Sequence, residues 1–198
     1  RVWVDETYVE YAGPRQSLEA FAVRSENVVV CKSTSKVYAL SGARVAYLCA
    51  AAHQLEELRS ITPPWVVSLP AQLAAVRALQ DAEYYAARYA ETAVLRESLA
   101  AQLGRIGLDV LPGIANFLLC HLPPDGPDAA TVADRCRKRG LFVRDARAMG
   151  TQIDDRTLRI AVKDAETNRR IVAILSESLA GNTGGAGSSE LFRVESRN

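Results

Sequence analysis

The start of the chain alternates short apolar runs with a helical pattern, as α/β proteins do. Residues 2–4 and 28–31 are continuous apolar runs of the kind found in interior strands. Residues 17–23 between them can form a short helix with Ser17 as its N-cap. The connection is long enough for a parallel crossover, so the sequence predicts a βαβ unit. The loop before the next apolar run, residues 43–49, is too short for such a crossover, and that strand is predicted to be antiparallel.

The middle of the chain is predicted to be helical. One helical segment lies around residues 54–59, and the prolines in the extended stretch 62–65 prevent its continuation. Residues 68–103 are rich in Ala, Leu, Glu, Arg and Gln, with apolar residues at helical spacing. This pattern predicts one long helix, interrupted near Asp81, that leads away from the first sheet.

After Gly107 the pattern changes to short strands interleaved with helices. The predicted strands are residues 109–111, 116–122, 141–144 and 158–162, and the predicted helices are residues 128–139 and 164–179. The fold class is therefore α/β, with a mixed, mainly parallel sheet in residues 1–80 and an interdomain helix plus a smaller α+β domain in residues 81–180. The Gly- and Ser-rich residues 181–198 are predicted to be a flexible tail.

Composition excludes several classes of protein. The 198 residues are 48% hydrophobic and 24% charged with a formal net charge of +1, as in an ordinary globular protein. This excludes a disordered chain and argues against a nucleic-acid partner. No stretch reaches the roughly 18 apolar residues that cross a bilayer, and the N-terminus lacks a secretory signal. We therefore predict a cytoplasmic protein without a membrane partner.

The cysteines and histidines do not indicate a disulfide scaffold or a metal site. The four cysteines are scattered singly among apolar segments and are interpreted as buried thiols. His53 and His121 lie far apart without clustered ligands, so no metal is predicted.

Several polar groups are predicted to meet at one edge of the first sheet. Asp5 ends the first strand, and Ser33, Ser35 and Lys36 follow the next one. Ligands of open α/β sheets bind at that edge. The hydroxyls and the amine suit an anion such as phosphate, and Arg44 adds a planar guanidinium group. On spacing alone, a buried salt bridge between Asp5 and Lys36 with a Ser-rich turn is an equally good interpretation.

Two ordered motifs surround this edge. Residues 4–8 are Val-Asp-Glu-Thr-Tyr, and residues 33–47 are Ser-Thr-Ser-Lys-Val-Tyr-Ala-Leu-Ser-Gly-Ala-Arg-Val-Ala-Tyr. Together they resemble the core signature of the fold-type I pyridoxal-phosphate aminotransferases, and most closely the histidinol-phosphate aminotransferase-like branch. Residues 115–117, 140–145 and 158–160 resemble further motifs of that family in the same order. The resemblance extends from residue 2 to about residue 179.

The resemblance implies pyridoxal phosphate as the cofactor, with residues 1–80 as the C-terminal part of the domain that binds it. Lys36 would form the Schiff base with the cofactor aldehyde and carry the proton between the substrate and the cofactor. Asp5 would keep the pyridine nitrogen protonated, and Tyr8 would hydrogen-bond the phenolic oxygen of the ring.

Further residues of this pattern match phosphate-binding and substrate-binding positions of the family. Ser33, Ser35 and Arg44 would bind the cofactor phosphate. Arg159 would bind the substrate carboxylate with Asn116 in support. The resemblance also implies that Arg144 faces the distal part of the substrate, where it would suit an anionic group. The substrates would be an amino acid and a 2-oxo acid.

The sequence departs from the family pattern in two places. Residues 161–164 are Ala-Val-Lys-Asp, where the family usually has a glycine. The N-terminal half of the family pattern is absent, so we expect this chain to be the C-terminal portion of a longer homodimeric enzyme. By itself, the chain is expected to bind pyridoxal phosphate weakly and to show no turnover.

Other interpretations remain open at this point. A decarboxylase of the threonine-phosphate type has the same cofactor signature, and a non-catalytic, ligand-binding relative would also keep it. Without the resemblance, Arg144 and Arg159 are best explained as salt-bridge partners of Asp145 and Asp155 at strand ends.

Overall fold

The computed structural model describes residues 1–180, so the predicted tail lies outside the described residues. The first sheet has three strands in the order β1 (Val2–Asp5), β2 (Val28–Ser33) and β3 (Ala46–Cys49). β1 and β2 are parallel, and β2 and β3 are antiparallel. The mixed sheet and the direction of its third strand are therefore confirmed.

β1 lies at the edge of this three-stranded sheet. Val29 and Val30 of the central strand β2 are fully buried, whereas Val2 and Trp3 of β1 are about half exposed. Among residues 1–180, the prediction of an interior strand is therefore right for β2 and wrong for β1, which pairs with β2 alone. An apolar run indicates that a strand suits a buried position. It does not reveal whether another strand pairs with it on each side, because that depends on the tertiary structure.

Five helices connect and follow these strands. α1 (Glu19–Ala22) forms part of the crossover from β1 to β2, and α2 (Thr34–Val37) begins directly after β2. They are followed by α3 (Ala52–Ile61), α4 (Leu69–Gln80) and α5 (Ala82–Arg105). Asp81 separates α4 from α5, and its carboxylate accepts a hydrogen bond from the Tyr84 amide. The interruption predicted at this aspartate is confirmed.

The second sheet is antiparallel throughout. Its strands are β4 (Asp109–Val110), β5 (Phe117–His121), β6 (Arg144–Asp145) and β7 (Thr157–Ala161), in the order β4-β5-β7-β6. α6 (Ala129–Lys138) and α7 (Ala165–Ala180) pack with α5 around its core. This is the smaller α+β unit that the sequence predicts.

The strand predicted over residues 141–144 is wrong for its first three residues. Gly140 adopts a left-handed conformation with φ of 73°, and the Leu141 amide donates to the carbonyl oxygen of Cys136 at 2.9 Å. These features complete the C-terminus of α6. The apolar residues that follow α6 therefore begin as a helix cap, and only Arg144–Asp145 pair as a strand.

The cysteines are partly as expected. Cys120 and Cys136 are buried, whereas Cys31 and Cys49 are only half-buried. The interpretation as buried thiols is therefore wrong for the pair in the first sheet, where side chains of a three-stranded sheet are less completely covered.

Candidate active site

The first sheet brings the ends of two parallel strands to one edge. Asp5 pairs with Cys31, and β2 continues to Ser33 before α2 carries Lys36. Lys36 and Asp5 are both exposed. The Asp5 carboxylate accepts hydrogen bonds from the backbone amide of Thr7 at 2.9 Å and from the Thr7 hydroxyl. Since neither Asp5 nor Lys36 is buried and no ion pair joins them within residues 1–180, the alternative of a buried Asp5–Lys36 salt bridge is wrong.

The loop between β2 and β3 carries the predicted phosphate-binding residues. The Ser33 hydroxyl caps α2 by accepting from the Ser35 amide at 3.3 Å. Thr34 is fully buried and ties both ends of the loop together, because its hydroxyl donates to the carbonyl oxygen of Val45 at 2.7 Å. Arg44 is exposed in a left-handed conformation with φ of 55°. The hydroxyls and the guanidinium group thus lie on one closed loop with the lysine.

A second lysine, Lys32, lies four positions before Lys36 but has a very different environment. It is only 5% exposed, and its ammonium group lies 2.8 Å from Glu10, 3.4 Å from Glu6 and 3.5 Å from Glu19. Burial alone would lower the pKa of Lys32, but the hydrogen bond to Glu10 and the three carboxylate charges outweigh it and raise that pKa. Lys32 therefore stays protonated and is no nucleophile.

The cluster of Lys32 with its three carboxylates was not found by sequence reasoning. Glu6 and Glu10 lie on either side of Tyr8, so one buried ammonium group holds both ends of the segment that carries this tyrosine. A lysine within an otherwise apolar strand was the available signal, because a buried lysine requires charged partners.

The second sheet contacts Tyr8, which lies three residues after the end of β1. Arg159 on β7 donates a hydrogen bond from Nη2 to the Tyr8 hydroxyl oxygen at 3.1 Å. Its guanidinium carbon lies 4.0 Å from the centre of the Phe117 ring, a cation–π arrangement. The Arg159 Nε is buried and has no acceptor among the described residues. A buried donor without a partner is suited to an anionic ligand such as a carboxylate.

Arg144 lies directly opposite Arg159. The two arginines are register partners on the antiparallel strands β6 and β7, so their side chains leave the same face of the sheet. Asp145 pairs instead with Arg147 at 2.9 Å. The salt bridges considered for Arg144 and Arg159 with Asp145 and Asp155 are therefore wrong within the described residues. Like charges directly opposite are unfavourable, and an anion between them would relieve the repulsion.

Asn116 directly precedes β5, and the β5 residue opposite Arg159 is Leu119, three positions further along the chain. The Asn116 carbonyl oxygen accepts from the Val162 amide at 2.9 Å, directly after β7. The turn that follows, where the family usually has a glycine, is closed by the buried side chain of Asn168. That side chain accepts from the Lys163 amide and donates to the Lys163 carbonyl oxygen. A side chain thus closes the turn that lacks the glycine.

The structure brings some of the predicted residues together more closely than others. Asp5 and Tyr8 line a cleft of about 520 Å³ with Ile114, which precedes Asn116. Lys36 and Arg44 are not among the residues that line this cleft. Of the residues predicted to bind the cofactor, Asp5 and Tyr8 therefore share this cleft, and Tyr8 also contacts Arg159 of the second sheet.

The described residues lack two other kinds of feature. Within residues 1–180, no helix is long and apolar enough to cross a membrane. In the same range, no group of three or more His, Cys, Asp or Glu side chains could hold a metal ion.

Comparison with known protein families identifies the fold. The family model for aminotransferase class I and II matches residues 1–175. The chain belongs to this family. The resemblance inferred from the two motifs is thereby confirmed, as is the α/β fold.

Curated relatives of this chain are named histidinol-phosphate aminotransferases. One from Rhodopseudomonas palustris (strain BisA53) is 31% identical over 180 residues, which cover 89% of this chain and 48% of the relative. One from Caulobacter vibrioides is 34% identical over 178 residues, covering 88% of this chain and 48% of the relative. The chain thus spans about half the length of the curated relatives it matches.

Solved structures agree with the family membership. The histidinol-phosphate aminotransferase from Sinorhizobium meliloti in complex with pyridoxal-5'-phosphate matches with a TM-score of 0.79 and 26% identity, over 90% of this chain and 48% of that one. The enzyme from Clostridium acetobutylicum has a TM-score of 0.81 at 22% identity, covers 91% and 54%, and shows the shared fold. The family match and the neighbour with bound pyridoxal-5'-phosphate bear out the expected cofactor class.

Proposed function

We propose that the protein takes part in pyridoxal-phosphate-dependent transamination between an amino acid and a 2-oxo acid. The observation that carries this proposal is the contact of Arg159 with Tyr8 at 3.1 Å, next to the sheet edge of Asp5 and Lys36. It joins the residues expected to hold the cofactor to those expected to hold the substrate.

The residues of the first sheet fit pyridoxal phosphate. The exposed Lys36 amine is available for a covalent bond to an aldehyde, and the exposed Asp5 carboxylate can pair with a protonated pyridine nitrogen. Ser33, Ser35 and Arg44 offer the hydroxyl and guanidinium donors that a phosphate group requires. When bound, the cofactor supplies an electron sink for the negative charge that develops at the substrate Cα.

Lys36 is also the residue placed to move a proton. It is exposed and forms no ion pair in the described part of the chain, unlike the buried Lys32. Lys32, in contrast, is kept protonated by its three carboxylates, which raise its pKa. Tyr8 accepts a hydrogen bond from Arg159 and so keeps its own O–H for donation to a ring oxygen.

The paired arginines favour a substrate with two anionic groups or with a phosphate. Arg159 would bind one group through its unpaired Nε, and Asn116, directly before the strand that pairs with β7, is proposed to support it. Arg144, directly opposite Arg159, would bind the second. Because the relatives are named histidinol-phosphate aminotransferases, a phosphorylated substrate of amino-acid biosynthesis belongs to this proposal.

A homodimer and a longer enzyme are part of the same proposal. α4 exposes an apolar stripe at helical spacing, which is available for a second copy. Its members are Leu69, Leu73, Val76 and Leu79. The proposal of a longer enzyme is supported by the match to only 48% of the length of the relative from Rhodopseudomonas palustris (strain BisA53). A sedimentation experiment tests the dimer, and a protein that stays monomeric at high concentration would contradict it.

The proposal is tested by trapping the cofactor on the chain. Pyridoxal phosphate is added, and the double bond that its aldehyde forms with a lysine amine is reduced with borohydride. Peptide mapping then locates the labelled lysine. We expect label on Lys36, none on it in Lys36→Ala, and an unchanged pattern at Lys36 in the control Lys163→Ala, since Lys163 is an exposed lysine elsewhere. Label spread evenly over Lys36, Lys138 and Lys163 would contradict the proposal.

The reaction itself is tested by its products. A catalytically active form of the protein is incubated with single amino acids, and the release of the oxo acid and of carbon dioxide is measured. Release of the oxo acid with transfer of the amino group supports transamination. Release of carbon dioxide supports the decarboxylase, and reversible binding without either product supports a non-catalytic ligand-binding protein.

A further inference from the structure

One face of α5 touches both parts of the candidate site. Tyr89 and Arg96 lie about two helical turns apart, so their side chains leave the same face. Arg96 is buried and donates from Nε to the Gly113 carbonyl oxygen at 2.7 Å and from Nη1 to that of Phe117 at 2.8 Å. Leu99 follows on this face and is fully buried in the core of the second sheet. The C-terminal half of α5 is therefore fixed to the substrate-side unit.

The other end of this face reaches the turn that carries Lys36. The Tyr89 hydroxyl lies 3.2 Å from the carbonyl oxygen of Val37, the residue directly after the lysine. α2 ends at Val37, so no further helical turn supplies a donor for that carbonyl group. Burial raises the pKa of Tyr89, and its hydroxyl therefore keeps the proton that it donates.

The ring of Tyr89 contacts a third segment. It packs edge to face against the ring of Tyr11, with the centroids 5.1 Å apart. Tyr11 belongs to the 3-10 turn Val9–Ala12 that directly follows Tyr8. One side chain thus touches the segments that carry Lys36 and Tyr8, while its own helix is held by Arg96.

We propose that Tyr89 is a positioning residue for Lys36, whose hydroxyl fixes the end of the turn from which the lysine amine projects. The proposal rests on the proposed function, because it concerns the same lysine. Since Arg96 anchors α5 to the second sheet, Tyr89 also ties the Lys36 turn to the unit that carries Asn116 and Arg159. The position of the amine is thereby set relative to the substrate-side residues.

The test compares two variants that each lose one hydroxyl group from α5. Tyr89→Phe keeps the ring contact with Tyr11, and Tyr84→Phe is the matched control at an exposed position of the same helix. The full chain is treated with pyridoxal phosphate and borohydride over a pH series. The ratio of label on Lys36 to label on the exposed Lys163 is then measured by peptide mapping.

We expect Tyr89→Phe to lower this ratio about fivefold, the size expected for one neutral hydrogen bond, and Tyr84→Phe to leave it unchanged. An unchanged ratio in Tyr89→Phe over the whole pH series would overturn the proposal. A lower ratio with new label on Lys32 would also overturn it, because labelling of that buried amine reports general unfolding. If the unmodified chain labels Lys36 no more than Lys163, the proposed function itself fails, and this proposal fails with it.

Discussion

Arg159 donates a hydrogen bond to the hydroxyl oxygen of Tyr8, which lies 151 positions earlier in the chain. The same guanidinium group lies over the Phe117 ring and keeps a buried Nε without an acceptor among the described residues. Arg159 is thus oriented by two contacts and retains a donor. A pre-oriented donor loses little conformational freedom when it binds a ligand, and this makes Arg159 the best candidate for the substrate anion.

Arg159→Lys is expected to weaken substrate binding while the fold is retained. Lysine keeps the charge but loses the planar group that contacts Tyr8 and Phe117 and that offers Nε. In a form of the protein that transaminates, KM for the amino donor should rise about tenfold to a hundredfold, as for the loss of one charged hydrogen bond. Steady-state kinetics measure this rise. Arg169→Lys, at an exposed position of α7, is the control, and an equal KM in both variants would contradict the assignment.

Lys32→Met is expected to destabilise the protein strongly. The substitution leaves the carboxylates of Glu6 and Glu10 buried without their cation, and removal of one partner of a buried ion pair costs about 3–5 kcal/mol. Denaturant unfolding measures the loss in the free energy of unfolding. Lys138→Met removes only an exposed pair with Asp134 and should cost less than about 1 kcal/mol. Equal losses in the two variants would show that the Lys32 cluster is not a buried ionic core.

Local signals predicted much of the fold. The short loop before β3 fixed its antiparallel direction, and Asp81 interrupted the long helix where its carboxylate caps α5. Both depend on residues close in sequence, where chain length and capping chemistry are sufficient. The edge position of β1 and the cap at Leu141 were missed, because they depend on strand neighbours and on a left-handed glycine that an apolar run does not reveal.

The candidate site was less predictable than the fold. Motif spacing indicated that Asp5 and Lys36 share a sheet edge, and the parallel pairing of β1 and β2 places them there. The contact of Tyr8 with Arg159 and that of Val37 with Tyr89 join distant segments, and no local pattern specifies such contacts. The residues that support the site therefore became visible only in the structure.

Gly113→Ala is expected to destabilise the loop that leads to Asn116. A Cβ atom at Gly113 would lie 3.0 Å from Nη2 of Arg96, whose guanidinium group is held by two carbonyl oxygens. Displacement of that group weakens at least one hydrogen bond, at a cost of about 1 kcal/mol. Gly104→Ala is the matched control, because nothing lies within 4 Å of its Cβ position in α5. In thermal unfolding, Gly104→Ala should be as stable as the unmodified chain or more stable by about 0.5 kcal/mol. A Gly113→Ala variant more stable than Gly104→Ala would contradict this role of Arg96.

Cys120→Ala is expected to reduce the loss of stability at high pH. Burial raises the pKa of the Cys120 thiol to about 12, whereas an unfolded cysteine titrates near pH 8.5. As pH rises through this interval, the unfolded state loses the proton before the folded state does, so the unfolding free energy falls by about 1.4 kcal/mol per pH unit. The stability due to the neutral thiol is thus fully present below about pH 8.5 and is lost progressively above it.

Near neutral pH, Cys120→Ala should lower the free energy of unfolding by about 1 kcal/mol, because it leaves a small cavity. This deficit should shrink and then reverse as pH rises, because only the unmodified chain has Cys120 to titrate. Denaturant unfolding at a series of pH values measures the difference. Val132→Ala is the control, because it truncates a fully buried, non-titrating side chain in the same core and its deficit should stay constant. A constant deficit for Cys120→Ala as well would mean that this thiol ionises in the folded protein as readily as in the unfolded chain.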